Sequence, residues 1–141
     1  MDQEQLRLSL NKFLKMYFNA CREVYKEINF DRITKIQFKY LKAIKNFEKT
    51  TLTELADKFN ISKPSMNEVI VKFEKSGLIH REKSNQDKRI TVITLTDIGN
   101  TLATTNLLES KRAVQKMTET LTKEETIVLQ KIFDRFEVDD E

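Results

Sequence analysis

Between residues 51 and 99 the chain sets apolar side chains at intervals that admit few arrangements. Counting from Ala56, apolar residues fall one before it (Leu55), three after (Phe59) and five after (Ile61). Two more follow ten and thirteen residues on, at Met66 and Val69. Two helices crossing at a steep angle need this spacing, because a small residue lets the backbones approach while larger ones fill the wedge between them. A helix-turn-helix is therefore expected here. Beyond it, 78–83 and 90–95 are rich in β-branched and apolar residues, joined by Ser84-Asn85-Gln86-Asp87-Lys88-Arg89. That pattern predicts a hairpin with a polar loop, a wing.

Local signals mark the helix ends. Ser62 is suited to cap the second helix, Pro64 falls in its first turn, and Gly77 is the natural left-handed residue after a stop near Ser76. Thr34 with Gln37, Thr51 with Glu54 and Thr122 with Glu125 each have capping-box spacing. The first opens a helix carrying Ile36, Tyr40, Leu41, Ile44 and Phe47, and the second opens the helix-turn-helix through about Phe59. The third opens a last helix with Ile127, Ile132, Phe133 and Phe136 expected inward. After Thr96 the chain returns to helix through Leu102, Leu108, Val114 and Met117. Ahead of all these, Leu6, Leu10, Phe13, Leu14, Tyr17, Cys21, Val24, Tyr25 and Ile28 recur at helical steps, predicting an amphipathic helix over 3–29. At roughly 38 Å that helix is long for a compact monomer to cover. Phe18 widens its apolar face, so a second copy of the chain is the simplest covering surface.

The composition narrows the function. With 141 residues, two Gly and one Pro, one mostly helical domain is expected. No run of about 18 apolar residues spans a membrane, and the polar start (Asp2, Gln3, Glu4, Gln5) is unlike a signal peptide. A single cysteine agrees with a reducing cytoplasm, the expected location. Cys21 and His80 are the only residues of their kinds, too few for a zinc site, so neither a metal nor another cofactor is expected. Gly77 and Gly99 stand 22 apart, which excludes a glycine-rich phosphate loop, and the carboxylates are scattered. No catalytic residue, and no enzyme, is expected. Cys21, on an apolar helix face, reads as a buried structural thiol.

Charge is unevenly distributed. Residues 58–89 hold eight Lys/Arg against four acids, a local +4, whereas the last five residues hold four acids that phosphate repels. A basic run coinciding with a helix-turn-helix points to nucleic acid.

Several segments together resemble the winged-helix regulators of the MarR (multiple antibiotic resistance regulator) family. They are Glu54-Leu55-Ala56, Phe73-Glu74-Lys75-Ser76-Gly77-Leu78-Ile79 with Arg81 two further on, Asp87-Lys88-Arg89, and Leu95-Thr96-Asp97-Ile98-Gly99. The resemblance implies a mostly α fold with a small β-hairpin wing, one domain over 1–141. In it 1–30 and 100–141 would be dimerisation helices and 31–99 the DNA-binding lobe. It further implies a homodimer on pseudo-palindromic double-stranded DNA, acting as a repressor, with a recognition helix in the major groove and a wing in the minor groove. Many such proteins release DNA on binding a small molecule.

Residue chemistry assigns the contacts. On the recognition helix Met66, Val69, Ile70 and Phe73 turn inward, leaving Lys63, Ser65, Asn67, Glu68 and Lys72 outward. Asn67 suits adenine N6 and N7, and Ser65 a base edge or phosphate. Lys63 and Lys72 suit phosphate, beside the helix N-terminus that Ser62 and Pro64 shape. In the wing Arg89 suits a narrow minor groove, Asp87 would orient its guanidinium, Lys88 would touch phosphate, and Asn85 lies at the tip. Glu68 and the uncharged Asn85-Gln86 tip depart from the family pattern and imply a narrower preference or weaker affinity. Tyr17, Phe18, Phe38 and Tyr40 are candidates for a pocket taking a small aromatic effector between the arms and the lobe, although aromatics at helical spacing more often belong to the core. A rival reading is a winged helix used for protein–protein assembly without DNA.

Overall fold

The computed structural model describes residues 2–139, so Asp140 and Glu141 of the acidic tail lie outside the described residues. The elements are α1 (Gln3–Ile28), α2 (Lys35–Phe47), β1 (Thr50–Thr51), α3 (Leu52–Phe59), α4 (Lys63–Lys75), β2 (Ile79–Lys83), β3 (Thr91–Leu95), α5 (Asp97–Ala103), α6 (Thr105–Thr120) and α7 (Lys123–Phe133). They form two compact units, one of residues 31–106 and one of the segments before and after it. The fold is mostly α with a small antiparallel sheet, as the sequence predicts.

In the 31–106 unit the helix starts follow local chemistry. Thr34 and Gln37 make both arms of a capping box at α2. Ser62 caps α4 by accepting the Ser65 N–H at 3.2 Å. At the other end of α4, Leu78 N–H donates to the Phe73 carbonyl and Gly77 N–H to the Glu74 carbonyl, with Gly77 at φ 77°. This is a Schellman stop, and it needs the left-handed backbone that glycine adopts without strain. Leu41 and Ile44 of α2, Leu55 and Ala56 of α3, and Met66 and Ile70 of α4 are buried, together with Ile93 of β3 and Leu102 of α5. Burying such a side chain contributes about 1.5–3 kcal/mol, which secures the α3–α4 wedge that the spacing around Ala56 predicts.

The sheet runs β1-β3-β2, antiparallel throughout, with Ile93 opposite both Thr50 and Arg81. The strand β1 was not expected. It explains why the predicted capping box at Thr51 is only half made. Thr51 accepts the Glu54 N–H, but its residue is also paired with Val92, and the Glu54 carboxylate takes the Thr51 hydroxyl instead. A second correction concerns the return to helix after Thr96, which is two helices rather than one. Thr104 ends α5 at φ −114°, with its hydroxyl donating back to the Asn100 and Thr101 carbonyls. Such back-bonding competes with the continuing helix ladder.

The corner between β3 and α5 is tight. Thr96 accepts the Gly99 N–H at 3.0 Å as N-cap of α5, while its hydroxyl donates to the Gly77 carbonyl at 2.6 Å. Its N–H donates to the Leu78 carbonyl at 3.0 Å. A Cβ on Gly99 would lie 1.9 Å from that same Leu78 oxygen, so only glycine fits.

The other unit joins α1 to α6 and α7. Ala20, Cys21, Val24 and Tyr25 of α1 and Ala113 of α6 are buried. The Cys21 thiol donates to the Glu109 carboxylate at 3.0 Å, in keeping with a structural thiol. Arg112 reaches both Glu23 (3.1 Å) and Glu27 (2.7 Å), and Lys116 reaches Glu23 at 2.6 Å. Phe13 and Phe133 stack at a tilt, 6.3 Å apart. Thr122 and Glu125 cap α7 with a complete box. The expectation that Ile127, Ile132, Phe133 and Phe136 turn inward is not met: they stand 45–71% exposed, and no described residue of α7 is buried. The helix spans only 11 residues, and in a single copy of the chain its apolar stripe is left uncovered, as are Leu6, Leu10 and Phe18 of α1.

Gly99→Ala should cost about 1–3 kcal/mol or more through overpacking, a fall in Tm of roughly 2–4 °C per kcal/mol for a chain this long. Gly77→Ala meets open space and carries only left-handed strain, so a smaller fall is expected. Thermal unfolding followed by circular dichroism checks the order, and equal or reversed effects would contradict the close approach at Leu78.

Candidate nucleic-acid interface

Helix α4 has two chemically distinct faces because apolar residues return every three or four positions. Met66, Ile70 and Phe73 are buried, Val69 is half-buried, and Lys63, Ser65, Asn67, Glu68 and Lys72 are all exposed. At its start the Ser62 hydroxyl also donates to the Ser65 hydroxyl at 2.9 Å, so Ser65 is already held in place on the outer surface. Pro64 stands in the first turn, where no intrahelical donor is required. The positive end of the helix dipole and Lys63 therefore share one exposed end.

The wing loop owes its shape to two side chains. Ser84 accepts the N–H groups of Gln86 (3.2 Å) and Asp87 (3.4 Å), a serine turn that folds the tip. Asp87 then accepts three bonds from Arg89: its backbone N–H at 3.0 Å, Nε at 3.1 Å and Nη2 at 3.0 Å. This forked pair fixes the guanidinium plane while the Arg89 side chain remains 91% exposed. The Arg89 side-chain bonds, then its backbone N–H, hold the Asp87 carboxyl below the ordinary aspartate range, and the same pairing raises Arg89. Because the folded-state value is depressed, the pair is intact above the ordinary value. It is lost only as pH falls through the lower one. Lys88 and Asn85 are exposed beside it.

A second forked pair ties the wing to the helix. Arg81 of β2 donates to both oxygens of Glu74 near the end of α4, at 3.0 and 2.9 Å. This pairing and the Ser84 turn were missed as functional contributors. A Ser two and three residues ahead of Gln86 and Asp87 was the available signal for the turn, whereas the Glu74–Arg81 contact needs the hairpin register.

The two units also differ in charge. Residues 31–106 carry fourteen Lys/Arg and nine Asp/Glu, net +5; the remaining segments carry eleven and thirteen, net −2. The expected effector residues divide likewise. Tyr17 and Phe18 lie on α1 with ring centroids 6.4 Å apart, and burial first, then Cys21 and Glu109, pushes the Tyr17 hydroxyl up. Phe38 and Tyr40 lie on α2, where Tyr40 packs edge-on against Phe59 at 4.7 Å, a core contact.

The sequence profile of the MarR family matches residues 33–91, from the cap of α2 to the start of β3. That match takes in 59 of the 141 residues. The chain is also similar to an uncharacterised HTH-type transcriptional regulator, YdgJ of Bacillus subtilis (strain 168), at 23% identity over 120 residues, covering 85% of this chain and 68% of that protein. Two solved structures share its fold. The YusO protein of Bacillus subtilis superposes with a TM-score of 0.68 at 21% identity, over 96% of each chain. A MepR variant of S. aureus, bound to an oligodeoxyribonucleotide, gives 0.68 at 18% identity over 96% of this chain and 95% of that one. The matched segment holds the helix-turn-helix and most of the wing, and the two structures share the winged-helix fold of this chain.

The ion pair in the wing predicts a titration. A carbon-13 NMR titration should place the Asp87 carboxyl midpoint below the ordinary aspartate value, and Arg89→Ala should move it up. An Asp87 midpoint indifferent to that substitution would rule the pairing out.

Proposed function

We propose that this chain is a MarR-family transcriptional regulator, which represses as a homodimer on pseudo-palindromic double-stranded DNA. Each copy lays α4 in the major groove and its wing in the adjacent minor groove. What supports this most is the two-faced α4, whose exposed Lys63, Ser65, Asn67 and Lys72 are backed by the buried Met66 and Ile70. A recognition helix must be anchored on one side and present polar groups on the other. Asn67 reads adenine, Ser65 a base edge or phosphate, and Lys63, Lys72 and Lys88 neutralise phosphates beside the Ser62–Pro64 helix start. Arg89, already aimed by Asp87, enters the minor groove beside Asn85.

The dimer reading rests on the apolar surface that one copy leaves open. Leu6, Leu10 and Phe18 of α1 and Ile127, Ile132 and Phe133 of α7 are exposed, and a second copy of the same chain covers both sets. The dimer then sets two recognition helices about one turn of DNA apart. A small aromatic effector that binds through Tyr17, Phe18, Phe38 or Tyr40 would alter this spacing and release DNA. The regulator works in the cytoplasm; among the described residues no helix is long and apolar enough to cross a membrane.

Selection from a random duplex pool, followed by footprinting, should yield an inverted repeat protected on both half-sites. On that site Arg89→Ala should weaken binding and lower the salt slope by about 1. Asn67→Ala should relax preference at one position per half-site by about 1–3 kcal/mol. Equilibrium sedimentation should give twice the chain mass. A monomer that retains no duplex at low salt would favour the assembly-module reading instead.

A further inference from the structure

Helix α2 carries a basic face that the proposed interface does not use. All four charged residues of its 13 are lysines: Lys35, Lys39, Lys42 and Lys45. Lys35, Lys39 and Lys42 follow one another by four and three residues and so share the face opposite the buried Leu41 and Ile44. Among the described residues no ion pair neutralises Lys35, Lys42 or Lys45. The first turn of α2 has no acid, and Lys35 stands there against the positive end of the helix dipole, an arrangement that disfavours the helix. Lys45, in the last turn, complements the dipole, whereas Lys35 opposes it.

The basic surface does not stop with the helix. Exposed Lys49 follows α2 and lines an open groove of about 470 Å³ with Lys83, Ser84, Asn85 and Gln86 of the wing, Glu82 being its one acid. Cations thus stand both along α2 and, past the exposed Glu48 at its end, at the groove where Lys49 meets Lys83 of the wing.

We infer that these cations form a second phosphate track, which takes the sugar-phosphate backbone of duplex DNA flanking the segment held by α4 and the wing. The inference rests on the DNA-binding reading and extends it. The chemistry favours phosphate over an acidic protein partner, because lysine is depleted at protein–protein interfaces but binds phosphate well as a point charge. The track reads no bases. It adds affinity in proportion to the counterions it releases and makes binding steeper in salt.

The test uses the full chain and the triple variant Lys35→Gln, Lys42→Gln, Lys49→Gln, all three exposed, with circular dichroism to verify that it folds. Fluorescence anisotropy is measured against salt on random-sequence duplexes of about 20 and about 40 base pairs, a range chosen to exclude or include flanking DNA. On the long duplex the wild type should show the steeper slope, and the variant should lose roughly two to three units of it, near 0.9 per lysine removed. On the short duplex the two should agree. Equal slopes for variant and wild type on the long duplex, while both bind, would overturn the track and leave the α4–wing reading standing. No binding of either duplex by the wild type at low salt would overturn both.

Discussion

Gly99 lies so close to the Leu78 carbonyl that no side chain fits between them, and Thr96 closes the same corner with bonds to the Gly77 and Leu78 carbonyls. These few residues join four things: the end of α4, the entry to β2, the exit from β3 and the start of α5. Glu74 and Arg81 add a forked pair just beyond the corner. With both ends of the hairpin tied to the end of one helix, the wing cannot turn independently of α4. The proposed grip on two grooves of one duplex would depend on that rigidity, because major- and minor-groove contacts must be in register together.

Within this frame, order is concentrated where the chain is most exposed. Arg89 projects almost wholly into solvent, yet three bonds to Asp87 hold it, and Ser84 folds the loop beneath. An orientation prepared in advance spares the ordering cost that a free arginine would incur on binding. Ser65 is similarly positioned by Ser62. The +5 charge of the 31–106 unit, against −2 elsewhere, gives long-range attraction to a polyanion and directs it to that unit.

Much of this was legible from residue spacing alone. The intervals around Ala56 announce the α3–α4 wedge; Ser62, Pro64 and Gly77 mark both ends of α4; and the β-branched runs give the hairpin. All are local signals, set within a few residues. What escaped depends on partners distant in sequence. Strand β1 is two threonines whose identity as strand comes only from pairing with Val92 and Ile93. The break at Thr104 arises from hydroxyl back-bonding that a pattern of apolar residues does not report. The apolar stripe of α7 was read correctly as apolar, but inwardness requires a surface to face, and one copy of the chain supplies none. In the candidate site, the outward polar set of α4 and the Asp87–Arg89 pair followed from spacing, while the Glu74–Arg81 contact required the hairpin register.

The account is tested most directly by mapping backbone amide shifts of the isotopically labelled chain as duplex DNA is added. It predicts that the largest changes fall at 62–72 and 84–89, with the corner at 96–99 left in place. Changes confined to other surfaces, with α4 and the wing undisturbed at saturation, would contradict it.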